Sequence, residues 1–155
     1  MIAGGHTTFI YIERNGEVLF QKQHTASCEK EEECLELTLR KVYDFALNTP
    51  LDEISFSLET ARLNKAAAER SFEGNYGHGL GKMLRGTYEH KVMGDSVFSH
   101  ILSYTSGACD ARMAGAMIPV MSNSGSGNQG ISATLPVLVF AEENDKSEEE
   151  LIRAL

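Results

Sequence analysis

The chain has 155 residues, of which 42% are hydrophobic and 23% are charged, and its formal net charge is −8. This balance predicts a globular domain with a hydrophobic core rather than a disordered segment. The acidic charge argues against a nucleic-acid partner, and the absence of a long apolar run argues against a membrane span. The sequence also lacks a signal-peptide pattern, so we expect a cytoplasmic protein whose cysteines are thiols.

The first elements in chain order predict a small sheet. Residues 8–14 and 17–23 are rich in strand-forming side chains, and the Asn15-Gly16 pair between them is typical of a type I′ hairpin turn. Further along, alternating apolar and polar residues predict a half-buried third strand at residues 54–58.

Two helices are predicted around this third strand. The first has an acidic start at residues 29–33, which suits the positive end of a helix dipole, and Pro50 ends it. The second covers residues 59–72, which are strong helix formers. Residues 1–72 are therefore predicted to be an α+β part that combines a β-hairpin, a strand and helices.

Residues 73–155 form a glycine-rich, apolar part that is predicted to be mostly helical. From residue 92 to residue 141 the only charged side chains are Asp95, Asp110 and Arg112. A segment with so few charges does not easily cover a solvated surface, so we expect it to be buried against more protein.

The first helices of this second part are predicted from their ends. Asp95 or Ser96 can cap a helix that stops at Gly107, because Ser and Asp favour helix starts and Gly favours helix ends. A second, short helix is predicted from Asp110 towards Pro119.

The last elements are also predicted to be helical. Residues 131–141 suit either a strand or a helix, and we favour a helix. Ser147 and Glu150 form a capping box that starts a final helix. The chain stops two turns into that helix and begins almost inside a strand, so we predict an internal piece of a longer protein, truncated at its C-terminus.

The most distinctive stretch is a neutral polar loop at residues 122–130. Serine, glycine, asparagine and glutamine fill it: Ser122, Asn123, Ser124, Gly125, Ser126, Gly127, Asn128, Gln129 and Gly130. Backbone N–H groups, hydroxyls and amides without charge suit a small carboxylate or an amino acid, so we predict a substrate-binding loop. The alternative is a structural turn, which needs fewer polar side chains.

The glycines of this loop also match a dinucleotide-binding pattern. Gly125, Gly127 and Gly130 have the spacing G-x-G-x-x-G. That fingerprint requires a strand before it and a second βα unit after it. Pro119 interrupts the preceding stretch and no such unit follows, so nucleotide binding is the weaker interpretation.

Other candidate functional residues are few. Asp110 and Arg112, the charged residues nearest the loop in sequence, either fix it through an ion pair or a cap or contact the substrate. Cys28, Cys34 and Cys109 are too few and too widely spaced for a zinc site or an iron–sulfur cluster. The histidines show no spacing typical of a metal site.

Several stretches together resemble the bacterial and archaeal family of L-serine dehydratase α chains and L-cysteine desulfidases. The loop carries most of the resemblance, and the other stretches are residues 110–116, the Gly4-Gly5-His6-Thr7 sequence and residues 57–64. The resemblance implies an oxygen-sensitive [4Fe–4S] lyase that converts serine or cysteine to pyruvate and ammonia by β-elimination. It also implies that the cluster cysteines lie in the full-length parent outside this chain, where family members are longer.

The sequence therefore predicts an α+β fragment of an iron–sulfur amino-acid lyase, inactive alone and without a cofactor of its own. Its partners are predicted to be a small amino-acid substrate, the remainder of its own polypeptide and, in a homo-oligomer, further copies. The alternative is a non-catalytic module that binds an amino acid or a small anion. Neither the choice between serine and cysteine nor the catalytic base follows from the sequence.

Overall fold

The computed structural model describes residues 9–22, 37–86, 91 and 93–155. The predicted acidic helix start, Cys28, Cys34 and the Gly4-Gly5-His6-Thr7 sequence lie outside the described residues. The chain divides into two compact units, Met1–Leu37 and Thr38–Leu155. The predicted α+β class is confirmed, with a strand pair in the first unit and helices in the second. The division at residue 72, which rested on composition, stays a prediction.

The first unit contains an antiparallel hairpin. Strand β1 (Tyr11–Arg14) pairs with strand β2 (Glu17–Gln21). Asn15 and Gly16 join the strands with φ angles of 53° and 85°. Two consecutive positive φ angles are what a type I′ turn requires, so the predicted turn is confirmed.

The second unit is helical. Its described helices in chain order are α1 (Leu39–Asn48), α2 (Leu51–Ile54), α3 (Ser57–Glu73), α4 (Leu80–Met83), α5 (Val97–Met113), α6 (Gly127–Glu143) and α7 (Glu148–Ala154). The core lies where α3, α5 and α6 pack against one another. Small residues on α3 and α5 face larger ones on α6, and the buried set is Ala61, Ala67, Ala68, Ala108, Ile131, Leu135 and Leu138.

The predicted third strand at residues 54–58 is wrong, because this segment joins two helices. Helix α2 ends at Ile54, and α3 begins at Ser57. Ile54 is buried, but Phe56 is 71% exposed, so the alternating apolar residues do not share one buried face. Acidic residues in the first turn of α2 favour a helix here instead.

The predicted break at Gly107 is also wrong, and so is the separate helix from Asp110. Helix α5 runs unbroken from Val97 to Met113. Gly107 is buried, and a Cβ atom added to it would lie 2.7 Å from Ser71 Oγ. Gly107 therefore serves close contact with α3 rather than a helix end.

The helices whose first residues carry capping signals begin where the sequence predicts. Ser96 caps α5 in a capping box with Ser99, and Ser147 with Glu150 caps α7 in the same way. The favoured helix at residues 131–141 is confirmed as part of α6, which begins earlier, at Gly127. The helix at residues 59–72 is confirmed as α3.

His100 on α5 lies between two carboxylates. Its Nδ1 atom is 2.6 Å from Glu143 Oε1, and its Nε2 atom is 2.6 Å from Asp95 Oδ1. The hydrogen bond to Glu143 is the main cause that raises the pKa of His100 above its ordinary 6.5, and burial opposes it in part. Protonated His100 therefore ties the C-terminal end of α6 to α5.

The stabilisation by His100 should depend on pH. Because the folded-state pKa is raised, this stabilisation is fully present below pH 6.5 and is lost as the pH rises through the folded-state pKa. We expect the melting temperature of the parent chain to exceed that of His100→Gln at low pH, and the difference to shrink as the pH rises. A difference that stays constant from about pH 5 to about pH 9 would contradict this account.

Candidate functional site

The loop at residues 122–130 begins with a tight turn whose tip is exposed. Asn123 and Ser126 exchange two backbone hydrogen bonds, N to O, of 3.1 and 2.9 Å. Ser124 and Gly125 at the tip have φ angles of 48° and 79°. The turn thus has the backbone pattern of a type I′ turn, and it presents its serine and asparagine side chains to solvent.

The second half of the loop is the first turn of α6. Ser126 is the N-cap, and its Oγ accepts a hydrogen bond from Gln129 N at 3.3 Å. The first N–H groups of a helix have no partner within the helix and carry a partial positive charge. No acidic side chain lies in this first turn. The end of α6 at the loop is therefore suited to an anion.

Gly130 lets the two halves of the loop lie against each other. A Cβ atom added to Gly130 would lie 2.1 Å from Met121 O and 2.9 Å from Ser122 Cα. Both neighbours are backbone atoms, which cannot rotate away. The loop can keep this shape only with glycine at residue 130.

Asn64 on α3 supports the loop from the core side and was missed in the sequence. It is fully buried, and its Oδ1 atom accepts a hydrogen bond of 2.9 Å from Met121 N. The signal that could have revealed it is spacing, because Asn64 shares a helix face with the buried Ala61 and Ala68. A lone amide on such a face needs a buried hydrogen-bond partner.

Arg112 contacts the loop from α5. Its Nη1 atom donates a 2.9 Å hydrogen bond to Asn128 Oδ1. Its guanidinium also covers Gly127, where an added Cβ atom would lie 2.3 Å from Arg112 Nε. A cation and the N-terminal end of α6 therefore meet at the same place.

Asp110 contacts a different part of the helical unit, the start of α4. Residues two apart on a helix do not face each other, so Asp110 and Arg112 point in different directions. Asp110 Oδ2 accepts a 2.9 Å hydrogen bond from Leu80 N at the start of α4. The two residues do not form an ion pair, and the structure brings Arg112, but not Asp110, into contact with the loop.

The remaining candidates lie elsewhere. Cys109 is half-buried beside the core, and burial raises the pKa of its thiol. His78 lies on an exposed turn that lines an open pocket of about 270 Å³. Among the described residues, no three histidine, cysteine or acidic side chains converge as a metal site would require. Within the same residues, no helix is long and apolar enough to cross a membrane.

Comparison with known proteins identifies the family. Residues 19–155 match the family model of the serine dehydratase alpha chain. The chain belongs to this family. The resemblance inferred from the loop and its neighbouring stretches is thereby confirmed.

The relatives compared with the chain carry the name UPF0597 protein. The chain is 81% identical to one from Bacteroides thetaiotaomicron, 80% to one from Bacteroides fragilis and 46% to one from Vibrio campbellii. These matches cover 99–100% of the chain but only 36–37% of each relative. The chain thus spans about a third of the length of these relatives. No solved structure matches it.

The close approach of Gly130 to Met121 should make the stability of the chain sensitive to substitution of this glycine. Gly130→Ala should destabilise the chain by about 1–3 kcal/mol, because the added methyl group forces the backbone of residues 121–123 away from α6. Thermal unfolding measures the effect. Ser132→Ala, at an exposed position of the same helix, is the control and should change stability by less than about 0.5 kcal/mol. Equal melting temperatures for the two variants would show that the close contact is not required.

Proposed function

We propose that this chain forms the substrate-binding wall of an amino-acid lyase that acts on L-serine or L-cysteine. Membership in the serine dehydratase alpha chain family supports the class of reaction. The uncharged polar loop supports a binding role, because Asn64 holds it from the core side and Gly130 lets it pack closely against α6. The residues assigned to substrate are those of the loop together with Arg112.

The contact of Arg112 with the start of α6 is the observation that carries this proposal. The guanidinium hydrogen-bonds to Asn128 and uses only part of its five N–H donors there. Together with the partial positive charge of the helix end, it favours the α-carboxylate of an amino acid. The hydroxyls of Ser122 and Ser124 and the amide of Asn123 can accept hydrogen bonds from the α-ammonium group.

The proposed reaction is a β-elimination. The substrate loses its α-proton and its β-hydroxyl or β-thiol group, which leaves aminoacrylate. Aminoacrylate tautomerises to an imine, and water converts the imine to pyruvate and ammonia. The part of this chain is to hold the carboxylate and so fix the direction of the Cα–H bond. We assign the catalytic base to no residue described here.

We propose that the full-length parent carries a [4Fe–4S] cluster, whose iron would supply a Lewis acid for the leaving group. The described residues of this chain do not fit such a group. Cys109 is half-buried, and no set of three potential ligands surrounds it. We therefore assign no cluster ligand among the described residues and derive no step through a cluster.

The partner proposed for this chain is the remaining polypeptide of a longer protein such as its relatives. Helix α1 supports this, because it is amphipathic but has no buried residue. The exposed fractions of Leu39, Val42 and Phe45 are 86%, 50% and 60%. Arg153 on α7 holds the end of α1 by donating hydrogen bonds to Ala46 O and Thr49 O. The apolar face of α1 is thus fixed and open.

An isolated chain with this face should form homo-oligomers, since exposed apolar patches drive association. We expect sedimentation velocity to show oligomers of the parent chain and a larger monomer fraction for the double variant Val42→Lys/Phe45→Lys. The variant Glu69→Gln/Asp145→Asn changes the net charge by the same amount elsewhere and is the control. The role of α1 would be refuted if the parent chain were monomeric. It would also be refuted if the α1 variant and the control variant showed the same monomer fraction.

The substrate role is best tested in a full-length protein. We define the chimera as the Bacteroides thetaiotaomicron relative in which these 155 residues replace the matched stretch. We expect Arg112→Gln in the chimera to lower kcat/KM for L-serine or L-cysteine about ten-fold or more, because charged hydrogen bonds contribute about 1.5–3 kcal/mol. Asn128→Ala should cause a similar loss, because it removes the partner that holds Arg112 in place. Pyruvate release measures both.

The control for this experiment is Arg62→Gln. Arg62 is another exposed arginine, and it forms an ion pair with Glu59 one turn earlier on α3. We expect its kcat/KM to match that of the parent chimera. If Arg112→Gln and Asn128→Ala also match it, the loop does not bind substrate. Binding of an amino acid without pyruvate release by the parent chimera would favour the non-catalytic module instead.

A further inference from the structure

We infer that Asn64 is the positioning residue of the substrate loop. It acts through the backbone of Met121 and the hydroxyl of Thr134, and it does not touch the substrate. The inference rests on the proposed function of the loop. Nothing in the sequence motif of the loop itself points to a residue so far away along the chain.

The first support is that Asn64 hydrogen-bonds to both backbone groups of Met121. The side-chain amide accepts a hydrogen bond of 2.9 Å from Met121 N and donates one of 3.4 Å to Met121 O. An amide that engages both backbone groups of one residue holds that residue as a neighbouring strand would. Met121 directly precedes the loop, so α3 sets where the loop starts.

The second support is that the same amide is linked to the other end of the loop through a hydroxyl group. Asn64 Nδ2 donates a 2.9 Å hydrogen bond to Thr134 Oγ1, and Thr134 Oγ1 donates one of 2.9 Å to Gly130 O. One buried side chain therefore fixes the residue before the loop and, through one hydroxyl, the last residue of the loop. Between these two points, residues 122–125 are exposed.

The third support is the place of Asn64 in the core. Its neighbours on the same helix face, Ala61 and Ala68, are 1% and 0% exposed, and Asn64 is 0% exposed. An apolar residue would fill this position without any need for hydrogen bonds. Removing the amide would take from the Met121 N–H group the partly buried hydrogen bond that it donates to Asn64. The asparagine thus specifies the position of the loop rather than the packing of the helices.

The inference is tested in the chimera with Asn64→Leu. We expect amide hydrogen exchange in residues 121–130 to become about ten-fold faster or more, because the partly buried hydrogen bonds by which Asn64 holds both ends are lost. We expect the Kd for L-serine or L-cysteine, measured by calorimetry, to rise about five-fold or more for the same reason.

The matched control is Ser103→Ala. Ser103 is also fully buried, and its Oγ atom donates a 2.8 Å hydrogen bond to Gly81 O, which joins α5 to α4 and does not reach the loop. We expect Ser103→Ala to lower the melting temperature while exchange in residues 121–130 and the Kd stay as in the parent. If Ser103→Ala changes exchange and Kd as strongly as Asn64→Leu, Asn64 has only a general structural role and the inference is wrong.

A second pair of variants decides the matter if Asn64→Leu does not fold. Thr134→Val keeps the shape of the side chain but removes the hydroxyl, whereas Thr134→Ser keeps the hydroxyl. We expect faster loop exchange and a higher Kd in Thr134→Val and near-parent values in Thr134→Ser. Equal behaviour of the two variants would overturn the inference.

The two proposals fail in different ways. If the parent chimera binds neither amino acid, the proposed function is wrong, and loop exchange in the same variants still shows whether Asn64 holds the loop. If the parent binds an amino acid while Asn64→Leu and Thr134→Val leave both loop exchange and Kd unchanged, the function stands and the positioning role of Asn64 is wrong.

Discussion

Close packing of α3 against α5 and α6 is the constraint on which the rest of the helical unit depends. Alanine, glycine and serine occupy the contacts between these helices, so that the backbones approach each other closely. Gly107 on α5 illustrates how tight the contact is, since a Cβ atom on it would lie 2.7 Å from Ser71 Oγ on α3. Polar side chains caught in such contacts cannot reach water. Asn64 and Ser103 find hydrogen-bond partners on neighbouring elements, and through these partners they fix segments outside their own helices.

The loop before α6 shows how this constraint determines the geometry of the candidate site. Asn64 is buried by the packing of the helices, and its hydrogen bonds hold Met121 and Thr134. Arg112 emerges where α5 ends and extends over the first turn of α6. The polar loop, the positive helix end and the guanidinium are thus brought together by elements that are distant in sequence. The surface that we propose for binding a small zwitterion therefore depends on helix packing and not on the loop alone.

The elements that depend on interactions between neighbouring residues were predicted correctly from the sequence. The hairpin turn at Asn15-Gly16 and the capping boxes at Ser96 and Ser147 depend on neighbouring residues, and these predictions are confirmed. The strand at residues 54–58 was wrongly predicted because the alternation there reflects one buried and one exposed side chain at a helix junction. The helix end at Gly107 was wrongly predicted because the role of that glycine lies in a contact with α3.

The candidate site could be predicted only in part for the same reason. The loop stood out because its composition is local information. The separation of Arg112 from Asp110 follows from their directions on α5, and the bond between Asn64 and Met121 joins residues 57 positions apart. Spacing indicates that Asn64 is buried, but the contacts of Asn64 and of Arg112 leave no mark in a single sequence. Both depend on which helices pack together.

A loop that is anchored at both ends by the core is already shaped before a ligand arrives. Binding of the proposed amino acid would then order few additional dihedral angles, so little conformational entropy would be lost on association. The encounter rate should be governed by diffusion and charge rather than by a slow rearrangement of this surface. Such a surface is poorly suited to serve as a moving lid. Exclusion of water from a bound amino acid would have to come from polypeptide that approaches the loop from its solvent side.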